Sequence, residues 1–119
     1  MAAMQIIKNA VEAAGVRAYA NVYSGDDAEY CTINCTELPD DYGDDTPGAI
    51  RYLTQVHWFA PNGINPTARK RSIVRALVGA GCTYPQVTDA SDLDGLHFVF
   101  ECEYADGDTV ETDNGEIQC

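Results

Sequence analysis

Apolar and polar residues alternate most regularly in two stretches of the chain, and the longer of the two predicts a central β-strand. Residues 51–60, RYLTQVHWFA, are rich in aromatic and β-branched residues, contain no Gly or Pro, and lie between two turn signals. One face of this strand is predicted to turn toward the core and consists of Ile50, Tyr52, Thr54, Val56 and Trp58. The opposite face suits partial exposure or cover by another subunit, and it consists of Arg51, Leu53, Gln55, His57 and Phe59.

The remaining elements follow from periodicity and turn residues. Residues 4–14 carry an apolar stripe at helical spacing and end at Gly15, which predicts the first helix. Residues 16–23 and 30–36 predict two short strands, joined as a hairpin by the turn signal in residues 24–27. Asn65-Pro66 predicts the start of a second helix that runs to about residue 80. Residues 84–93 are expected to be a connection with at most a short extended piece, and residues 96–104, LHFVFECEY, predict the last strand.

The order of these elements favours an α+β fold, a single antiparallel β-sheet with two helices packed on one face in the order α-β-β-β-α-β. A chain of 119 residues is long enough for one domain with its own core. We expect residues 1–105 to form this domain and residues 106–119 to be an acidic C-terminal tail. No window approaches the ~18 consecutive apolar residues of a membrane span, so we expect an unprocessed cytosolic chain.

Charge narrows the range of partners. The chain has 19 acidic and 7 basic residues, a net charge of -12, which argues against nucleic acid or an anionic membrane as an attractive partner. The acidic residues collect in segments predicted to be loops. Four of the basic residues lie close together in the second helix, and we predict that they form a subunit interface: Arg69, Lys70, Arg71 and Arg75.

The longest predicted loop is acidic and is expected to be functional. Residues 37–48, ELPDDYGDDTPG, show no periodicity and are predicted to be an exposed connection between the second and third strands. Their spacing does not match an EF-hand calcium loop, which alternates its ligands and ends in a bidentate Glu. We predict instead that the loop contacts a neighbouring protein through Glu37, Asp40, Asp41, Asp44 and Asp45.

The basic segment has three interpretations. The element order resembles that of a double-stranded-RNA-binding domain, whose second helix also begins with Lys and Arg, but the net charge opposes this interpretation. A solvated helix face is the simplest alternative. The third is contact with an acidic surface of an identical neighbour, for which the loop at residues 37–48 is the obvious candidate.

Residues with catalytic or metal-binding potential are few and scattered. His57 and His97 are the only histidines; with Glu101 or Cys35 they could be drawn as a metal cluster, but no HExxH or CxxC spacing supports one. The five cysteines are odd in number and lack the spacing of a disulfide framework, which favours free thiols. No GxSxG, P-loop or GxGxxG motif occurs. We therefore predict no enzymatic activity, no cofactor and no metal.

Several segments taken together resemble a known family. AAGVRAYANVYSG, YCTINCTELPDDYGDDTP, RYLTQVHWFAPNGINPTARKRSIVRALVGAGCTYP and HFVFECEY occur in this order and resemble the small tail proteins of siphophages and prophages, the tail terminator or tail completion family. The resemblance extends from about Ala10 to Tyr104 and rests on order and texture, not on a catalytic motif.

The resemblance implies an α+β fold assembled as a hexameric ring at the head-proximal end of the tail tube in the virion. The ring would form in the host cytoplasm, stop tube polymerisation and join the tail to the head. The implied partners are other copies of the chain, the major tail tube protein, a head completion or neck protein and the tape measure protein, while DNA passes through the lumen unbound. Two alternatives remain open: another neck protein, such as a head completion or adaptor protein, and a monomeric acidic inhibitor that mimics nucleic acid.

Overall fold

A computed structural model describes residues 3–40 and 49–106. Within these ranges two helices accompany a five-stranded sheet, so the α+β class is confirmed. The sheet order is β1-β2-β3-β5-β4. The elements in chain order are α1 Ala3–Ala13, β1 Ala18–Ala20, β2 Tyr30–Asp40, β3 Ala49–Ala60, α2 Thr67–Gly79, β4 Gln86–Asp89 and β5 Leu96–Asp106.

The core lies between the two helices and one face of the sheet. From Tyr52 to Trp58 the predicted inner face of β3 is buried, with Val56 fully enclosed, and Trp58 lies beside Phe98 of β5 with ring centroids 5.8 Å apart. Both helices turn apolar side chains into the same buried cluster: Ile7 and Val11 from α1, Ile73 and Leu77 from α2. Since the alternation of β3 and β5 and both helical stripes meet in one cluster, the predicted central strand, last strand and helices are confirmed.

The predicted hairpin between the first two strands is wrong, because β1 and β2 run parallel. The turn signal does not reverse the chain into the sheet. Instead, the segment after β1 crosses the open face of the sheet, which is the face without helices. There the ring of Tyr23 stacks on the ring of Tyr19, with centroids 4.1 Å apart. Asp27 accepts a hydrogen bond from the Tyr19 hydroxyl at 2.8 Å, and its amide donates to the Tyr23 hydroxyl. The parallel pair of β1 and β2 makes the sheet mixed and not purely antiparallel.

The element order also differs from the prediction, because Gln86–Asp89 forms an edge strand, β4, paired antiparallel with β5. All four of its residues are exposed, so this strand lacks the alternation of buried and exposed positions from which a strand is predicted. β2 also continues past the predicted end: Glu37 and Asp40 pair with Tyr52 and Ala49 of β3 instead of lying in a loop. The rest of the predicted loop, with Asp41, Asp44 and Asp45, and residues 107–119 of the predicted tail lie outside the described residues.

Candidate assembly surfaces

Arg69 is held inside the subunit. Its Nε donates to Oε2 of Glu29 at 2.9 Å, and one terminal nitrogen donates to the carbonyl of Ala14 at 2.9 Å, just after α1. The same Glu29 oxygen accepts a hydrogen bond from the indole N–H of buried Trp58 at 2.9 Å. This bridge joins α1, the segment before β2, β3 and α2. Of the four basic residues in the predicted interface, Arg69 therefore has a structural role within the fold.

The other three basic residues line one groove. Lys70, Arg71 and Arg75 lie along the outer side of α2, and the groove between this helix and β4 has a volume of about 680 Å³. Lys70 lies over the ring of Phe98, with Nζ 4.5 Å from the centroid. Arg71 and Arg75 are exposed and, within the described part of the chain, form no hydrogen bond or ion pair. We call this cavity the basic groove.

The floor of the basic groove is apolar and exposed. Tyr84 is 78% exposed, Val78 44% and Val87 36%. Val87 lies opposite the fully buried Phe100 of β5, so it is on the helix side of the sheet. It remains exposed because α2 does not extend over β4. The sequence analysis did not predict this apolar floor. The only signal for it was an aromatic residue, Tyr84, next to Pro85 in a segment predicted to be a connection.

The described residues of the predicted acidic loop lie near the edge of the sheet opposite this groove. Glu37 is exposed, and its partner in the β2–β3 ladder is the buried Tyr52, which places Glu37 on the helix side of β2. Asp40 is the last residue of β2. β1 pairs with β2 only at Cys31, Thr32 and Ile33, so among the described strands nothing pairs with the outer side of β2 beyond Ile33. Of the predicted acidic set, the two described residues, Glu37 and Asp40, therefore lie near the β2 side of the sheet, whereas the basic groove lies beside β4 on the other side.

The open face carries a continuous row of stacked rings that sequence reasoning did not predict. Tyr30 lies 4.9 Å from Phe59 and Phe59 lies 4.3 Å from His97, measured between ring centroids, with interplanar angles of 23° and 24°. Tyr23 extends the row past Tyr30. Rings that stack on one another across strands present mainly their edges to solvent, so the row braces the uncovered face of the sheet.

The two histidines meet at one end of this row, as their positions on β3 and β5 suggested. His57 Nδ1 and His97 Nε2 are 2.9 Å apart, so one ring donates a hydrogen bond to the other. Burial, with a contribution from His97, lowers the pKa of His57, and burial lowers the pKa of His97 against the opposing effect of Asp92. Burial of the two rings therefore favours the neutral form of both histidines. No group of three His, Cys, Asp or Glu residues in the described ranges is arranged to hold a metal ion.

Among the described cysteines, Cys31, Cys82 and Cys102 are free and buried, whereas Cys35 is disulfide-bonded, so the prediction of free thiols is wrong for Cys35. Burial raises the pKa of Cys31 to about 12. A hydrogen bond between the neighbouring thiols of Cys82 and Cys102 lowers the pKa of Cys82 and raises that of Cys102. The pair lies between the end of α2 and β5, and Cys102 borders a groove with Glu101 and Glu103, whose charges raise the pKa of Cys102 further and disfavour its thiolate. The thiols therefore have the environment of core residues.

Comparisons with known proteins give no family or relative from which a function could be inferred. Neither the protein-family models nor the curated proteins include a match to this chain. Among the described elements, neither helix combines the length and apolarity needed to cross a bilayer. The features that the described residues offer for function are therefore the basic groove between α2 and β4, the acidic end of β2 on the other side of the sheet, and the row of rings on the open face.

Proposed function

We propose that the protein is a structural component of a phage tail that forms a ring at the head-proximal end of the tail tube, ends tube polymerisation and joins the tail to the head. The observation that carries this proposal is the segregation of charge. The basic groove lies beside β4 at one edge of the sheet, and Glu37 lies near the opposite edge on β2. Two different complementary surfaces on one chain suit a head-to-tail contact, which generates a ring when the rotation closes.

The overall charge fits a ring around a DNA passage. A chain with a net charge of -12 repels phosphate, so DNA moving through a lumen lined by such subunits would not adhere to it. The partners of this proposal are other copies of the chain, the major tail tube protein, a head completion or neck protein and the tape measure protein. The acidic end of β2 and the segment that follows it, residues 37–45, contact a neighbouring copy or the tube.

The decisive experiment locates the protein on particles. A tag at the C-terminus, labelled with gold and viewed by electron microscopy, is expected at the junction of tube and head in a copy number that fits a hexameric ring. Untagged particles from the same source are the control for label specificity. Label along the tube, or on no particle, would contradict the proposal. A stable monomer that binds a basic protein tightly would instead favour the acidic inhibitor.

A further inference from the structure

The turn between β4 and β5 presents an exposed leucine between two carboxylates. Leu93 and Asp94 form the tip of a hairpin that is closed by the pairing of Asp92 with Gly95. The side chain of Leu93 is 98% exposed, and both of its neighbours in the sequence are aspartates. We call residues 92–95 the acidic turn. We propose that the acidic turn of one copy docks in the basic groove of a second copy, with Leu93 on the groove floor. This inference rests on the self-association proposed above and names the surface that enters the groove.

The acidic turn is ordered before it meets a partner. The amides of Asp92 and Gly95 each donate to the carbonyl of the other residue, at 3.0 and 3.3 Å. Asn62 Nδ2 donates to the carbonyls of Asp92 and Leu93, at 3.4 and 3.2 Å, and the Asp94 amide donates to Oδ1 of Asp92 at 2.8 Å. A turn that is already ordered loses little conformational freedom on binding, so the contacts of Leu93 contribute directly to affinity.

The basic groove is complementary to this turn in polarity and in charge. Val78, Tyr84 and Val87 form an exposed apolar floor that a leucine would cover. Arg71 and Arg75 line the same groove, and within the described residues neither forms an ion pair in its own subunit. A leucine flanked by two carboxylates therefore matches an apolar floor flanked by two guanidinium groups.

One carboxylate of β4 lies on the same side of the sheet as the groove. Asp89 is paired with the buried Phe98, which places its side chain on the helix side. Its Oδ1 accepts a hydrogen bond from the amide of Ser91 at 2.9 Å, and the positive charge of Lys70 acts on it from α2. Lys70 therefore offsets Asp89. The carboxylates of an incoming turn are expected to meet the two arginines, which have no such neighbour.

The groove and the acidic turn are different surfaces, so the contact can repeat from copy to copy. The turn does not fill the groove of its own subunit, because Leu93 is almost fully exposed. Repetition of a head-to-tail contact generates a ring when the rotation closes. A turn in a groove buries less than the roughly 800 Å² per partner of a standard interface, so a single contact is weak and closure of the ring adds stability. The acidic end of β2 is then available to contact the tube.

The first experiment removes the apolar side chain from the contact. Leu93→Ser is expected to weaken self-association of the full-length chain by roughly tenfold or more, because the burial of a leucine is lost. Sedimentation at low ionic strength and at several protein concentrations, up to the millimolar range, measures this change. Val22→Ser is the matched control, since Val22 is 79% exposed and follows β1 on the other side of the sheet from β4. It should associate as the unmodified chain does.

The second experiment exchanges the charges of the two surfaces. Arg71→Glu with Arg75→Glu makes the groove acidic. Asp92→Asn with Asp94→Arg makes the turn basic, and Asn keeps the side-chain oxygen that accepts the amide of residue 94. Each double variant alone is expected to weaken self-association by roughly tenfold. An equimolar mixture of the two is expected to recover it, because every groove then meets a turn of opposite charge.

Four results would overturn the inference: association unchanged in Leu93→Ser, an equal loss in Val22→Ser, a mixture as weak as each double variant alone, or an unmodified chain that stays monomeric. A closed pair of copies that responds to the variants as expected would support the contact and count against a ring. If the contact fails, gold label at the tube–head junction would still support the tail assignment. Label elsewhere, with the variants behaving as expected, would leave the contact and remove the tail assignment.

Discussion

Replacement of Arg69 by Ala should destabilise the fold, whereas the same replacement of Arg71, two positions along the same helix, should not. Arg69 donates two hydrogen bonds of 2.9 Å, one to the Glu29 carboxylate and one to the Ala14 carbonyl. A hydrogen bond from a charged group contributes about 1.5–3 kcal/mol, and the lower limit applies here because solvent screens the pair. Arg69 and Glu29 are 30% and 32% exposed, respectively.

These contributions add up to a loss of about 2–3 kcal/mol in the free energy of unfolding for Arg69→Ala. For a chain of this length, this corresponds to a decrease in Tm of about 10 °C. Arg71→Ala should remain within about 0.5 kcal/mol of the unmodified chain, because Arg71 is exposed and forms no ion pair within the described residues. Urea and thermal unfolding, at concentrations low enough to avoid self-association, measure both values.

Glu29→Ala completes a double-mutant cycle. It removes the partner of Arg69 and also leaves the indole N–H of Trp58, a residue only 1% exposed, without its acceptor. We therefore expect its cost to exceed that of Arg69→Ala, with a coupling energy between the two sites of about 1 kcal/mol. Equal costs for Arg69→Ala and Arg71→Ala would refute the reasoning, since Arg69 would then belong with the exposed arginines of the basic groove.

Two further predictions concern ionisable groups, the histidine pair and the free thiols. Because the folded state lowers the pKa of His57 from its ordinary value of 6.5, the unfolded chain binds more protons below that pH. The free energy of unfolding should therefore fall as the pH drops from about 7 to 5, and it should fall less steeply in the His57→Asn, His97→Gln variant; parallel pH profiles from denaturant titrations would contradict this. Among the free thiols, Cys82 should be alkylated before Cys31 and Cys102, because its pKa is lowered while theirs are raised. Peptide mass spectrometry after a brief iodoacetamide pulse measures the order, and first labelling of Cys31 would show that access outweighs thiolate character.

The sequence by itself determined the elements whose burial pattern is strong. The alternation around Val56 and Phe100 identified two central strands, because each has one fully buried face and one half-exposed face. The helical stripes around Ile7 and Leu77 identified both helices for the same reason. Charge clustering also marked the basic groove, although only Lys70, Arg71 and Arg75 line it.

Only the tertiary structure decided the pairing of the sheet edges. The parallel direction of β1 against β2, which contacts of Tyr19 with Tyr23 and Asp27 accompany, is not encoded in any local pattern. β4 was predicted as no more than a short extended piece of a connection, because an exposed edge strand has no alternation of burial and gains its order from hydrogen bonds to β5. The hydrogen bonding of Arg69 within the subunit likewise depends on the position of Glu29, which is 40 residues away in the sequence. Local periodicity reports burial, whereas edge pairing and ion pairs depend on which distant segments the fold brings together.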